Sequence, residues 1–327
     1  MMKRLTWIGF LAVLLVGMTA CRRVMTPEEG GAQTSATDSL VVDNTGFFDT
    51  DAAQKAQERE QTQKQKDKTD KKRPKGMEIP AQIDGRPEQL LLRDGYYVSY
   101  NKDWKIANWV AWHLTKAHTY GDNLRDDMEF KEDTEVPFPR ATDEDYYSST
   151  YDRGHLCPSG DNKWDRRAQI QSFLFTNICP QNHGLNKGDW NDIEILCRQW
   201  ARKYGDVYIV TGPVFNNGVK KRIGKHGVAV PDSLFKVVLC TNPYARAIGF
   251  LVPNKGGHRD LRTYVTPVDE IERLTGIDFF PNLKDDTENR VEAADDDNMV
   301  KNWNVPAKYY YEGNNSRNNN SRRNYRY

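Results

Sequence analysis

The sequence predicts an α/β fold of the α+β kind, with helices flanking a central sheet that is mostly antiparallel. The sheet is indicated by three short segments that are rich in β-branched and aromatic residues and are bounded by Gly, Pro and Asn. These segments are residues 207–215, 233–240 and 247–254. Because no long helical segment separates them, neighbouring strands are expected to pair antiparallel.

Two further segments predict helices. "KGDWNDIEILCRQWARKYG" begins near a capping residue, either Asp189 or a nearby Asn, and ends at Gly205. Four apolar residues recur there at three- and four-residue spacing, namely Trp190, Ile193, Cys197 and Trp200. One face of this helix is therefore predicted to lie in the core. The second helix is predicted between Pro267 and Gly276.

Residues 1–20 are predicted to be a signal peptide. Two basic residues precede an apolar run, residues 5–18, that is short for a transmembrane helix and typical of a signal-peptide core. Small residues then lead to Cys21, and this order resembles the lipobox of bacterial lipoproteins, in which the cysteine carries lipid. We expect an exported protein that a lipid on Cys21 holds at a membrane, on the periplasmic face or at the cell surface. The alternative is ordinary cleavage near Ala20, which leaves Cys21 free.

Two flanking segments have too little apolar content to build a core. Residues 49–76 are rich in Gln, Lys and Glu, so residues 21–80 are predicted to be a disordered linker that follows the lipid anchor. The alternative for this tract is a solvated helix without an apolar face, which would also act as a spacer. Residues 286–327 are predicted to be a low-complexity basic tail, and the alternative is that its Tyr and Arg side chains bind single-stranded nucleic acid. The remaining residues, 81–285, are predicted to form the globular domain. The net charge of the whole chain, +1, does not indicate a partner.

Chemically reactive residues are concentrated in two stretches, "YDRGHLCPSGDNKW" from residue 151 and "TNICPQNHGLNKGDWNDIE" from residue 176. A histidine beside a glycine is usually structural, and this would hold for His155 if it stood alone. The second stretch, however, contributes Asn177, Asn186 and Glu194. A helix that runs between residues 186 and 194 places both side chains near one face. Together these residues predict a polar site where the two stretches meet.

Both stretches, together with "VYIVTGPVF", "VAVPDSLFKVVL" and "IERLTGIDFFPNL" in the same order, resemble the DNA/RNA non-specific endonucleases of the ββα-metal type. The resemblance implies a ββα-metal active-site motif and an endonuclease that hydrolyses phosphodiester bonds of DNA and RNA. Such an enzyme binds its substrate through backbone phosphates and leaves 5′-phosphate and 3′-hydroxyl ends. One alternative is a nucleic-acid-binding surface lipoprotein without catalysis, and another is an adhesion or scaffold protein that keeps the motif as structure.

The resemblance also implies a role for each matching residue. His155 would be the general base, because an imidazole with a reference pKa of about 6.5 is largely neutral at pH 7 yet can hold a proton. Asn186 would bind a single Mg²⁺, with Mn²⁺ as an alternative, through its amide oxygen. Glu194 would orient water around the metal. Arg153 would pair with the phosphate, and Asn177 would be a further active-site residue that positions the others.

Three more polar residues near the motifs have two interpretations each. Arg125 and Arg140 are either additional substrate-binding residues that contact phosphate or structural residues. Asp152 is predicted to be structural, holding either the backbone of the motif or the side chain of Arg153. The sequence indicates no oligomeric state.

Four cysteines besides Cys21 lie in the predicted domain, namely Cys157, Cys179, Cys197 and Cys240. Their spacing contains no zinc-binding knuckle, which argues against a structural zinc site. In an exported chain they either form disulfides or remain as buried thiols. Cys157 and Cys179 lie in the two motif stretches, so they are the first pair to test for a disulfide.

Overall fold

A computed structural model of the protein describes residues 73–122, 124, 128–147, 149–256 and 259–307. Four predictions fall wholly or partly outside these residues, namely the signal peptide with its lipidated Cys21, the linker up to residue 72, the phosphate contact of Arg125 and the tail after residue 307. No helix within the described ranges is long and apolar enough to cross a membrane.

The centre of the fold is a seven-stranded sheet in which neighbouring strands are antiparallel. In spatial order its strands are β1 (Gln89–Leu92), β2 (Tyr97–Asn101), β3 (Ile106–Thr115), β6 (Asp206–Val214), β9 (Ser233–Cys240), β10 (Arg246–Pro253) and β11 (Val265–Thr266). Strands β6, β9 and β10 are those predicted from the sequence, with bounds that differ by at most one residue. The predicted α+β class with a mostly antiparallel sheet is therefore confirmed.

Two smaller sheets and a set of helices complete the described fold. The paired strands are β4 (Tyr151–His155) with β5 (Ile178–Asn182), and β7 (Lys221–Ile223) with β8 (Val228–Val230). The α-helices are α1 (Glu144–Tyr147), α2 (Arg166–Gln171), α3 (His183–Lys187), α4 (Asp189–Tyr204), α5 (Val268–Thr275), α6 (Asp285–Glu292) and α7 (Asp296–Trp303).

Each face of the central sheet packs into its own apolar core, because alternate side chains of a strand point to opposite faces. On β9, Leu234 and Val238 pack into a first core together with the apolar face of α4. Phe235 and Val237 pack into a second core together with α5 and α6. The first core also contains residues of β5 and of the loop after β4, so both motif stretches lie on that side of the sheet.

The two predicted helices form, and one of them begins differently. Helix α4 ends at Gly205, as predicted, but the proposed cap by Asp189 is wrong. Asp189 is the first helical residue, the capping position is a glycine, and the Asp189 carboxylate instead accepts a hydrogen bond of 2.7 Å from the Tyr264 hydroxyl. Helix α5 lies between Pro267 and Gly276, where the chain turns into the left-handed conformation that ends many helices.

Parts of both predicted flanks belong to the folded body. Residues 73–80 of the predicted linker pack on it, and Ile79 is only 1% exposed. From the predicted tail, α6 and α7 pack against the sheet, and the indole of Trp303 donates a 3.2 Å hydrogen bond to the carbonyl of Ala247. Isolated apolar residues in an acidic segment produce no clear periodicity, so the sequence does not indicate these two helices. Residues 308–327 lie outside the described ranges.

The four cysteines of the domain are buried free thiols, so the disulfide between Cys157 and Cys179 is not formed and that alternative is wrong. The two thiols have different surroundings. The side-chain amide of Asn162 donates to Cys157 Sγ at 3.3 Å, whereas Cys179 interacts with Tyr146. Burial raises the pKa of all four thiols, that of Cys197 to about 12. They therefore act as small core residues.

Candidate active site

The two motif stretches meet in a strand–strand–helix unit. Strand β4 pairs antiparallel with β5, and the chain then enters α3 and, after Gly188, α4. The pair is tightly packed at Gly154, where a Cβ atom would lie 2.1 Å from Oε1 of the buried Gln181. A larger residue at position 154 would therefore have to displace the buried Gln181 side chain. This unit has the ββα arrangement that the resemblance implies.

Arg153 and His155 lie two residues apart on β4 and share the ring of Phe130. The guanidinium carbon of Arg153 lies 5.5 Å from the centroid of that ring, and the imidazole centroid of His155 lies 5.5 Å from it as well. His155 is 7% exposed, and its ring packs edge-to-face on Phe173 at 4.8 Å. The aromatic residues therefore fix the orientations of a cation and an imidazole that lie side by side.

Arg153 is also held by the segment that contains α1. Its Nε donates a hydrogen bond to the carboxylate of Asp143, and the rings of Tyr146 and Tyr147 lie 5.9 Å and 5.5 Å from its guanidinium carbon. Its side chain is 27% exposed. Nε is the only nitrogen of Arg153 that donates a hydrogen bond to another described residue. The two terminal amino groups of Arg153 therefore remain as donors for an anion.

Asn186 is oriented by Asp152. The amide nitrogen of Asn186 donates a 3.0 Å hydrogen bond to Asp152 Oδ2, and His183 Nδ1 lies 3.0 Å from both oxygens of the same carboxylate. Because the amide nitrogen is used, the amide oxygen of Asn186 remains as the atom that can bind a cation. Asp152 is therefore structural, as predicted, but it holds Asn186 and His183 and not Arg153.

The donor atoms around Asn186 suit a hard divalent cation. The amide oxygen of Asn186 is an oxygen donor, which Mg²⁺ prefers over nitrogen and sulfur, and Asp152 holds it in place. Glu194 lies on α4, half-buried and one turn before Arg198. Burial opposes the charge of Arg198, but Asp161 and then Glu194 raise its pKa overall. The Glu194 carboxylate is therefore close to that guanidinium, within the same unit as Asn186.

Helix α4 supports His155 through Trp190. The indole nitrogen of Trp190 donates a 3.3 Å hydrogen bond to the carbonyl of His155. Lys236 of β9 lies against the Trp190 ring, with its ammonium nitrogen 4.5 Å from the ring centroid and 5.1 Å from that of Trp112. Lys236 is only 1% exposed, and cation–π contacts are strongest when the cation is desolvated.

Three residues that contact the site lie outside both motif stretches, namely Phe130, Asp143 and Lys236. Asp143 stands among several acidic residues, and nothing in the sequence marks it as the partner of Arg153. For Lys236 a signal exists, because a lysine at the centre of the apolar strand "SLFKVVLC" is unusual. Phe130 lies in a charged segment, where a single aromatic residue gives no periodic pattern.

Asn177 connects the two motif stretches below the surface and is 0% exposed. Its side-chain oxygen accepts a 2.9 Å hydrogen bond from the backbone nitrogen of Cys157, and its side-chain nitrogen donates 2.8 Å bonds to the carbonyls of Cys157 and Ser172. All the donors and acceptors in these three bonds are buried. Asn177 therefore positions the loop that follows His155.

We expect Asn177→Ala to lower the free energy of unfolding by about 3–5 kcal/mol, because three buried backbone groups lose their partner. Urea unfolding followed by circular dichroism measures the change. The matched control is Asn298→Ala on the exposed surface of α7, which should cost at most about 0.5 kcal/mol. A stable Asn177→Ala protein that binds substrate poorly would contradict this structural role.

Arg140 makes hydrogen bonds to residues outside both motif stretches. Its Nε donates to Glu132 at 3.0 Å, and Nη1 donates to the carbonyl of Val136 at 3.1 Å. These bonds leave Nη2 as its only terminal nitrogen without a hydrogen bond among the described residues. A phosphate contact by Arg140 stays a prediction.

The model of the family described as DNA/RNA non-specific endonuclease matches residues 78–286. Similar proteins include the mitochondrial nuclease EXOG of Mus musculus, 37% identical over 57% of this chain and 55% of its own length. Human mitochondrial endonuclease G is 34% identical over 60% of this chain and 70% of its own length. Nuclease C1 of Cunninghamella echinulata is 35% identical over 61% of this chain and 85% of its own length.

A solved structure supports the same relationship. A chain in the crystal structure of the EndoG/EndoGI complex superimposes with a TM-score of 0.57 at 26% identity, covering 61% of this chain and 89% of that one. The chain spans 55% to 60% of the length of the EXOG relatives from mouse, zebrafish, frog and human. With the family model matched over more than half of its length and a ββα unit that holds both motif stretches, this chain belongs to the DNA/RNA non-specific endonuclease family.

Proposed function

We propose that the protein is a metal-dependent endonuclease that hydrolyses phosphodiester bonds of DNA and RNA. The observation that carries this proposal is that one strand–strand–helix unit holds Arg153 beside His155 and also contains an Asn186 amide oriented by Asp152. Membership of a family of metal-dependent nucleases supports it.

Each residue of the unit has a step to perform. Arg153 binds the phosphate through its terminal amino groups and stabilises the negative charge that develops during the reaction. His155 accepts a proton from the attacking water at a ring nitrogen. Asn186 would hold Mg²⁺, or alternatively Mn²⁺, through its amide oxygen, and Glu194 would act from the outer shell. When bound, the ion supplies positive charge that stabilises the phosphate and the leaving oxygen.

Incubation of the purified full chain with plasmid DNA and with RNA tests the proposed activity. We expect both substrates to be cut in the presence of Mg²⁺ and neither to be cut in EDTA. The alternative of a surface lipoprotein that binds without catalysis would be favoured by binding of either nucleic acid with no cutting under Mg²⁺ or Mn²⁺.

A basic hairpin next to β4 extends the surface that can meet a phosphate backbone. The β7–β8 hairpin exposes four basic side chains, namely Lys220, Lys221, Arg222 and Lys225. Lys220 and Lys225 form ion pairs with acidic residues. Lys221 instead lies 4.6 Å from the ring centroid of Tyr151, the first residue of β4, and donates to its hydroxyl at 3.2 Å. We propose Lys221 as a substrate contact, because it lies against the first residue of the strand that carries Arg153 and His155.

We expect Lys221→Ala to weaken binding of DNA and RNA by about 3- to 10-fold and to reduce the salt-dependence slope of log K by about 0.9, which corresponds to one lost phosphate contact. The rate at saturating substrate should change little. The measurement is fluorescence anisotropy with a labelled duplex at several salt concentrations. Lys284→Ala, an exposed lysine at the start of α6, is the control. Equal effects of both substitutions would mean that only overall charge matters.

We also propose that the mature protein is exported and begins at a lipidated Cys21, which lies outside the described residues. The support is the sequence alone, with a short apolar run followed by small residues before the cysteine. Mass spectrometry of the mature N-terminus tests the processing. A mature protein that begins at another residue, or at an unmodified Cys21, would exclude the lipid anchor.

A further inference from the structure

Helices α5 and α6 bring three carboxylates together on the side of the sheet that packs into the second core. Ligand oxygens of Asp269, Glu272 and Glu292 all lie within 4.8 Å of one another. Asp269 is exposed, Glu272 is half-buried and Glu292 is buried. This grouping is separate from the ββα unit, which packs into the first core.

The buried member of the group lacks a hydrogen-bond partner. Glu292 is 6% exposed, and its Oε1 has no partner among the described residues. Oε1 of the neighbouring Glu288 is also buried without a partner. Glu272 Oε1 accepts a single 2.7 Å hydrogen bond from the backbone nitrogen of Phe279. Buried carboxylate oxygens that face other carboxylates are costly unless a proton or a cation joins them.

The strongest charged neighbours of this group are themselves acidic. Those that act most on Glu292 are Glu272, Glu288, Asp269 and Asp278, all of them carboxylates. Burial, and after it these neighbours, raise the pKa of Glu292 to about 9, and burial raises that of Glu272 to about 7. The group therefore has unfavourable electrostatics in the absence of a counter-ion.

The helices that carry these residues are fixed by packing. Val268 and Ile271 on α5 and Val291 on α6 are buried in the second core. Asp269 and Glu272 neighbour the buried positions of α5, and Glu292 directly follows Val291. The packed helices therefore hold the three positions close together, and the bond from the Phe279 backbone also holds the Glu272 carboxylate.

We propose that Asp269, Glu272 and Glu292 form a second divalent-cation site, which binds Ca²⁺ and joins α5 to α6. Ca²⁺ takes carboxylate oxygens at about 2.3–2.6 Å, so one ion can join oxygens that lie up to about 5 Å apart. Mg²⁺ binds at about 2.0–2.1 Å with strict octahedral geometry and would require the group to contract. The remaining positions of the ion would be filled by water, which the exposed Asp269 side admits.

The test uses the full chain, stripped of metal with EDTA and then melted with and without 1 mM CaCl₂. For a dissociation constant of about 10 μM, the melting temperature of the wild type should rise by about 5 °C. Glu292→Gln, which keeps the shape of the side chain, should lose more than half of this rise. The matched control is Glu270→Gln on the same helix, where Glu270 pairs with Arg273 outside the group, and it should keep the rise.

The melt in EDTA shows whether the Glu292→Gln substitution itself destabilises the protein. Without Ca²⁺, Glu292→Gln should melt within about 2 °C of the wild type, because a neutral amide replaces a carboxyl group whose strongest charged neighbours are carboxylates. No rise in the wild type at 10 mM CaCl₂ would overturn the proposal, and the carboxylates would then share protons instead. A rise in Glu292→Gln as large as in the wild type would also overturn it, because the ion would be bound elsewhere.

Discussion

Alanine in place of His155 is expected to lower the rate of phosphodiester cleavage by roughly 10²- to 10⁴-fold while the affinity for nucleic acid changes little. The substitution removes the group proposed to accept the proton of water. It leaves Arg153, which Asp143 and the surrounding aromatic rings hold independently of the imidazole. Single-turnover cleavage and anisotropy binding, measured on the same preparation, separate the two effects.

The imidazole also packs on Phe130 and Phe173, so stability has to be measured alongside activity. His113→Ala provides the matched control, because His113 pairs with Asp206 on the central sheet and belongs to neither motif stretch. Its cleavage rate should equal that of the wild type. A His155→Ala protein that melts like the wild type and cuts at the wild-type rate would refute the general-base assignment.

Asn186→Ala is expected to lower cleavage and to raise the Mg²⁺ concentration needed for half-maximal rate by about 10- to 100-fold or more. The reason is that its amide oxygen is the proposed direct ligand, oriented by the bond from its nitrogen to Asp152. Asp152 keeps its contact with His183 in the variant, so the unit should stay folded. Titration of the cleavage rate with Mg²⁺ measures the shift.

Comparison with Asn177→Ala makes this prediction specific. Both substitutions remove an asparagine from the same motif stretch, but Asn177 makes three buried hydrogen bonds and Asn186 makes one, at a half-buried position. Asn186→Ala should therefore raise the metal requirement with little loss of stability. Asn177→Ala should lower the stability and leave the metal requirement unchanged. An unchanged Mg²⁺ requirement in a less active Asn186→Ala protein would remove Asn186 from the metal site.

Short-range patterns explain why much of the fold could be predicted. The sequence places strand β9 and helix α4 to within a few residues, because alternation and three- to four-residue spacing are properties of neighbouring positions in the chain. The end of α4 at Gly205 is equally local, since glycine adopts the backbone conformation found there without strain. Helices α6 and α7 escaped prediction because few of their residues are apolar and tertiary packing supplies most of their stability.

Residue order alone is enough to predict the α+β class, the central strands, helix α4 and the two motif stretches. The packing of distant segments sets the remaining contacts: Asp152 binds Asn186 and not Arg153, Phe130 contacts both Arg153 and His155, and the cysteines stay apart. It also brought carboxylates of α5 and α6 together. The physical reason is that backbone conformation follows largely from local residue order, whereas a side chain's partner depends on how segments distant in sequence pack.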